Sequence, residues 1–195
     1  IFVAGRALQA YFIKYWAARG LTRARRQRTP MSAPGDRDLS TIAPMRLPHH
    51  QLTMTVLMSP DMANFSGNVH GGAILRQLDN VAYSCASRYA GRYVVTLSVD
   101  QVMFLEPIHV GELVTFLASV NYTGSSSMEI GIKVVAENIQ QRSVRHVNSC
   151  FFTMVSVDED RKPVPVPPLQ PETEDEKRRW NAAITRKELR RELTR

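Results

Sequence analysis

Cysteine is nearly missing from this sequence. Cys85 and Cys150 are the only two among 195 residues, and each sits among apolar neighbours. Two such residues make neither a disulfide framework nor a cysteine-rich zinc site. They fit two reduced, buried thiols in a reducing compartment, which points to the cytoplasm. Long apolar runs are missing as well. Arg6, Gln9 and Lys14 interrupt the apolar run at the N-terminus. No stretch reaches the roughly 20 residues of a membrane span, so no stable membrane insertion is expected. Neither a glycine-rich phosphate loop nor a dinucleotide-binding fingerprint is present. His49, His50, His109 and His146 are scattered without metal-ligand spacing, read as surface or internally bonded residues, and no metal site is expected.

Acidic residues are absent from residues 1–30, which hold seven Arg and Lys. The formal net charge of +7 suggests a nucleic-acid binder, but its distribution does not. Residues 31–171 carry 10 basic and 12 acidic side chains, and residues 172–195 carry 8 and 6. The basic signal therefore belongs to one terminal segment, and no nucleic-acid partner is expected for the folded part. That segment fits a mitochondrial presequence, or an upstream extension outside the working protein. The first Met, Met31, followed by the polar "SAPGDRDLS", favours the extension.

What is present is a regular order of elements. "QLTMTVLM" (51–58) alternates as a strand does, and "SPDMANFSGN" is a loop of turn formers. A helix starts near Gly71 or Gly72. Ile74, Leu75, Leu78, Val81, Ala82, Cys85, Ala86 and Tyr89 recur at helical steps, and Gly91 is a plausible stop. Four strand-like runs follow, at 93–105, 112–123, 127–138 and 145–158. Their connections, "EPIHVG", "GSSS" and "IQQRSV", are short, which implies antiparallel neighbours. The fold class is α+β. One helix covers such a sheet only if the sheet curls round it. The remaining face or edge needs a partner, so a homo-oligomer is expected. "PVPVPPLQP" (163–171) reads as a stiff linker. A C-terminal helix follows, opened by Thr173 and Glu176 at capping-box spacing. Its charges read as a solvated face, with Trp180 as a docking residue.

One stretch can carry chemistry: "GNVHGGAILRQLDNVAYS", residues 67–84. At 100° per residue the apolar side chains span roughly −20° to 120° from Ile74, and Asp79 falls at roughly 140°. It lies on the border of the buried face. It is either a rim aspartate bonded to a neighbouring strand or a carboxylate placed for use. The preceding turn brings Asn68, His70, Gly71 and Gly72 to the helix start. Backbone N–H groups there are unpaired, and glycines let a ligand approach. Such a turn suits an oxyanion or a polarised carbonyl.

The run "NFSGNVHGGAILRQLDNVAYSCASRYAG" resembles the core motif of hotdog-fold acyl-CoA thioesterases, in the cytosolic acyl-CoA hydrolase branch that includes small bacterial single-hotdog enzymes. The likeness continues through "VVTLSVDQVMFLEPIHVGELV", "NYTGSSSMEIGIKVVAEN" and "FFTMVSVDEDRKPVPVPPLQPETEDEKRRW", covering about residues 48–180. The resemblance implies one long helix wrapped by a curved antiparallel sheet of about five strands, plus the C-terminal helix. It divides the chain into an N-terminal extension (1–47), a hotdog domain (48–162) and a Pro-rich linker with C-terminal helix (163–195). It implies hydrolysis of acyl-CoA to a fatty acid and CoA. Asp79 is then the general base, or less favourably a nucleophile, and Asn68 positions water or carbonyl. Each chain carries both residues, so a homodimer is implied in which Asn68 of one subunit faces Asp79 of the other, with further assembly as a trimer of dimers. Gly71 and Gly72 supply oxyanion donors, and His70 lines the turn.

No cofactor is implied, because CoA belongs to the substrate. Ser125, Ser126 and Ser127 are candidate CoA contacts, with Arg88, Lys133 or Arg145 for its phosphates; the alternative is an ordinary hairpin turn. Two rivals share the fold. A hotdog enoyl-CoA hydratase needs a His shortly after the Asp on the same element, and no His follows Asp79 through Gly91. A non-catalytic acyl-CoA-binding domain needs neither Asn68 nor Asp79.

Overall fold

A computed structural model describes residues 49–193. The N-terminal extension expected over residues 1–47 lies outside them. The elements are β1 (Gln51–Leu57), a 3-10 turn (Pro60–Met62), α1 (Gly71–Ala90), β2 (Val94–Val99), β3 (Leu113–Thr123), β4 (Ser127–Asn138), β5 (Ser143–Ser156) and α2 (Glu174–Leu193). The strands form one antiparallel sheet in the order β1-β3-β4-β5-β2. This is the hotdog arrangement, with α1 packed against all five strands.

The helix forms where periodicity places it. His70 caps its start, and Gly91 ends it at φ 67, a left-handed conformation that glycine adopts without strain. Ile74, Leu78, Val81, Ala82, Cys85 and Ala86 are buried along one stripe. They meet alternate side chains of the sheet, including Phe116, Val120, Ile130, Val134, Phe152 and Met154. Leu75, expected in that stripe, is 42% exposed. The two thiols are buried. Burial pushes Cys85 up to about 11, against the nearby Arg88 charge, and Cys150 up to about 12.

The strand expected over residues 93–105 is shorter: β2 ends at Val99. Its neighbour β5 bulges where Val134 pairs with Asn148 but Val135 with His146. Beyond Asp100 the run is held by scattered bonds instead of a ladder. The Asn148 amide donates to the Met103 carbonyl at 2.8 Å, and Leu105 N–H to Val147 O at 3.0 Å.

The outer sheet face carries α2. Its charges, read as solvated, are partly anchors. Glu129 is 2% exposed, and Arg186 donates to it at 2.6 and 3.2 Å. Arg190 bridges Glu129 and Asp100. A buried carboxylate demands such partners. Trp180 packs on Tyr122, ring centroids 4.7 Å apart, as its docking role predicts. The capping box also forms. Thr173 Oγ1 accepts from Glu176 N–H at 3.2 Å, and Glu176 accepts from the Thr173 and Glu172 N–H groups. Those two N–H groups, with His50, outweigh burial and lower the Glu176 pKa to about 2. Residues 163–171 are laid down as a strap: Val166 N–H donates to Ser125 O and Leu169 N–H to Thr123 Oγ1.

The bulge on β3 between Val120 and Tyr122 turns Asn121 toward Gly131, where an added Cβ would stand 2.3 Å from the Asn121 amide nitrogen. Gly131→Ala is expected to cost about 1–3 kcal/mol in urea unfolding. Glu176 stabilises the fold above its unfolded value of 4.5, and that contribution is lost as pH falls toward about 2. Glu176→Gln should therefore lower the melting temperature at neutral pH and leave it nearly unchanged near the lower limit.

Candidate active site

The turn before α1 is built by one asparagine. Asn64 N–H donates to Asn68 O at 2.7 Å, and its Oδ1 accepts from the N–H groups of Ser66 at 2.9 Å and Asn68 at 3.2 Å. This is an Asx-type closure. Gly67, at φ 80, completes it. The turn is tied to the body by Val69 N–H to Ile108 O, 2.8 Å, and by a bridge between Asn68 and His109.

The helix start corrects one expectation. His70 Nδ1 accepts from Gly72 N–H at 2.9 Å. A ring that accepts at Nδ1 carries its proton on Nε2 when neutral. Gly72 N–H is thus spent on the cap and is not an oxyanion donor. Ala73 N–H goes to the His70 carbonyl. Gly71 N–H has no acceptor among the described residues.

Asp79 lies two turns further, about 12 Å along the axis from Gly71 at 1.5 Å per residue. It is exposed, and Thr96 Oγ1 on β2 donates to its Oδ1 at 2.8 Å. Oδ2 stays available to accept. The chain thus brings Asn68, His70, Gly71 and Gly72 together and sets Asp79 apart, beside the sheet edge. Leu97, Met103, Phe104 and Leu105 expose large apolar surface along this edge. Among the described residues no hydrogen bond joins Asp79 to either asparagine.

A Thioesterase superfamily model matches residues 66–143. Protein VdlD of Helicobacter pylori is 53% identical over 140 residues, spanning 72% of this chain and 80% of its own. A solved apo-hexameric acyl-CoA thioesterase superposes with TM-score 0.72 at 36% identity, covering 74% of this chain and 92% of its own. The chain belongs to the hotdog-fold acyl-CoA thioesterases. An acyl-CoA hydrolase from Staphylococcus aureus, solved with butyryl coenzyme A, coenzyme A and coenzyme A disulfide, gives TM-score 0.69 at 30% identity, covering 74% and 88%.

In this thioesterase the other expected contacts divide. Arg145 is not open to phosphates. It forks onto Glu112, which is 3% exposed, at 2.7 and 2.9 Å. Burial raises the Glu112 pKa, but hydrogen bonds from Arg145 and His109 and the Arg145 charge outweigh it, leaving about 2. Arg88 sits in the last turn of α1. Ser125, Ser126 and Ser127 form the β3–β4 hairpin, and their carbonyls accept from Val166, Ser156 and Gly124. Ser127 also borders a cleft of about 580 Å³ with Lys187, Arg190 and Arg191. Two more clefts flank α2, and none of the three is lined by Asn64, Asn68, His70 or Asp79.

Sequence reasoning passed over Asn64, Thr96 and the α2 cations. Asn64 was findable: an Asn three residues before Gly67, in a loop of turn formers, signals an Asx turn. Thr96 carried no local signal, since its role depends on strand β2 lying beside α1. The cap generates a test. His70→Ala should destabilise by about 1 kcal/mol in urea. Gly72→Ala, whose Cβ would stand 3.0 Å from His70 Nδ1, should lose part of the same cap.

Proposed function

We propose that this chain hydrolyses acyl-CoA thioesters at sites assembled between two copies of itself. The observation that carries the reading is the separation of parts: within one chain the asparagine turn and Asp79 are apart, and the edge beside Asp79 is apolar and exposed. A second copy, related by a two-fold axis, supplies the missing half of each site and covers the edge. The hexameric thioesterase supports a six-subunit assembly, which a trimer of such dimers would satisfy.

The Staphylococcus aureus enzyme has been solved with an aspartate, an asparagine and a threonine separately replaced by alanine. In its numbering the aspartate stands 15 residues after the asparagine and 17 before the threonine. Here Asp79 stands 15 residues after Asn64 and 17 before Thr96. This spacing favours Asn64 over Asn68 as the working amide. Its Oδ1 is committed to the turn, which leaves Nδ2 as a donor.

In the mechanism, Asp79 takes a proton from water, and the oxygen attacks the thioester carbon. Thr96 holds the carboxylate in place. The carbonyl electrons move to oxygen, where the other subunit's turn, through the Gly71 N–H and the Asn64 amide, meets the charge. The oxyanion collapses, the C–S bond breaks, and Asp79 returns its proton to sulfur. A thiolate leaves readily, so the scheme needs no metal or cofactor. Ser127, Lys187 and Arg191 suit the CoA phosphates. Two buried, unpaired thiols support a cytoplasmic location.

Asp79→Ala should lower thiol release from acyl-CoA about 10³-fold, and Thr96→Ala less. Asn64→Ala should cost about 10²-fold and exceed the effect of Asn68→Ala. Mixing Asp79→Ala and Asn64→Ala subunits, exchanged through mild denaturation, should restore about a quarter of the wild-type rate, because half the dimers carry one intact site. No recovery would place both groups in one chain and defeat the shared site.

A further inference from the structure

We infer that Arg145 and Glu112 are positioning residues, a partly buried clamp that holds the asparagine turn where catalysis needs it. The inference rests on the reading under Proposed function. One guanidinium on β5 grips the loop over residues 106–112 at several points. Arg145 Nη1 donates to Glu112 Oε1 at 2.7 Å. Its Nη2 donates to Glu112 Oε2 at 2.9 Å and to the Pro107 carbonyl at 2.6 Å. Its Nε pairs with Glu106 at 3.0 Å. Glu112 Oε2 in turn accepts from His109 N–H at 2.9 Å.

The loop then holds the turn. His109 bridges Asn68, and Ile108 O accepts from Val69 N–H. Asn68 N–H and O both bond to Asn64. A continuous path therefore runs Arg145, Glu112, His109, Asn68, Asn64. The remaining backbone bonds of the turn, Ala63 with Val69 and His70 N–H with Met62 O, are internal to the same segment. Among the described residues, its backbone hydrogen bonds to another part of the chain go to the 108–109 loop, while Val69 packs in the core. Glu112 is buried, and an ion pair with a buried member is a poor way to gain stability, because desolvation offsets the attraction. A bidentate fork excels at fixing geometry. Errors of about 1 Å in a reacting group cost roughly 10²-fold in rate, so a fork placed behind the turn acts through kcat.

The experiment is steady-state hydrolysis of butyryl-CoA by the full chain, with thiol detection and melting curves. Glu112→Gln and Arg145→Lys should lower kcat about 10- to 100-fold with KM within about twofold. Each is then combined with Asn64→Ala and with Asn68→Ala. In the background lacking the working amide, the clamp variants should cost little more, because they act through that amide. Gly131→Ala, which strains the outer sheet face, should lose stability with unchanged kcat. If Glu112→Gln does not fold, Glu106→Gln loosens the same fork from its exposed side and should lower kcat in the same coupled way. Additive losses in both asparagine backgrounds, or lower melting temperatures with unchanged kcat, would overturn the clamp. If wild type turns over and the clamp variants match its kcat, the clamp alone fails. If wild type releases no thiol from any acyl-CoA, the hydrolase reading fails and the clamp falls with it.

Discussion

A single helix must cover the inner face of five strands, and most of the structure answers to that demand. The stripe from Ile74 to Ala86 is apolar and small-to-medium in size, so α1 settles deep against Phe116, Ile130 and Phe152. A helix seated that deeply has only its rims in water. A polar group on such a rim keeps a fixed height and direction, because the buried stripe allows no roll. Asp79 uses that constraint. Its carboxylate is solvated, yet it rides on an immobile element and is braced from β2 by Thr96.

The outer face follows a different logic. There α2 is held by charge and by aromatic contacts, Arg186 lying over the Phe151 ring and Lys187 over Tyr122. Glu129 and Asp100 draw in Arg186 and Arg190, while Trp180 stacks on Tyr122. The two sides of the sheet are thus governed by different forces, dispersion and apolar burial inside, ion pairing outside. The asparagine turn is held in two ways: Val69 is buried in the core, and backbone bonds tie the turn to Ile108 and His109.

The helix was legible in the sequence because its periodicity runs for five turns between a glycine pair and Gly91. Asp79 was legible as a border residue, and the bond to a neighbouring strand that one reading expected forms, from Thr96. The turn was legible as a place, with its internal bonding hidden. Only coordinates reveal that His70 consumes Gly72 N–H, since a histidine cap competes with a ligand for the same donor. Residues 100–105 looked like strand because their apolar content is strand-like. Their ladder with β5 ends at Val99 opposite Phe152, and beyond Asp100 only isolated bonds such as Leu105 N–H to Val147 O remain. The α2 charges looked solvated because Glu129, their partner, is 45 residues or more away in sequence. Ion pairs of that range leave no periodic trace.

The two cysteines carry a chemical consequence. An acyl thioester reacts with any available thiolate by exchange, which transfers the acyl group to the new sulfur. A protein that gathers such substrates exposes its own thiols to them at high local concentration. Cys85 and Cys150 lie in the core, with burial holding both as neutral thiols. A neutral, enclosed thiol is a poor nucleophile. The core therefore protects the chain from being acylated by what it is built to cleave, and leaves water as the acceptor.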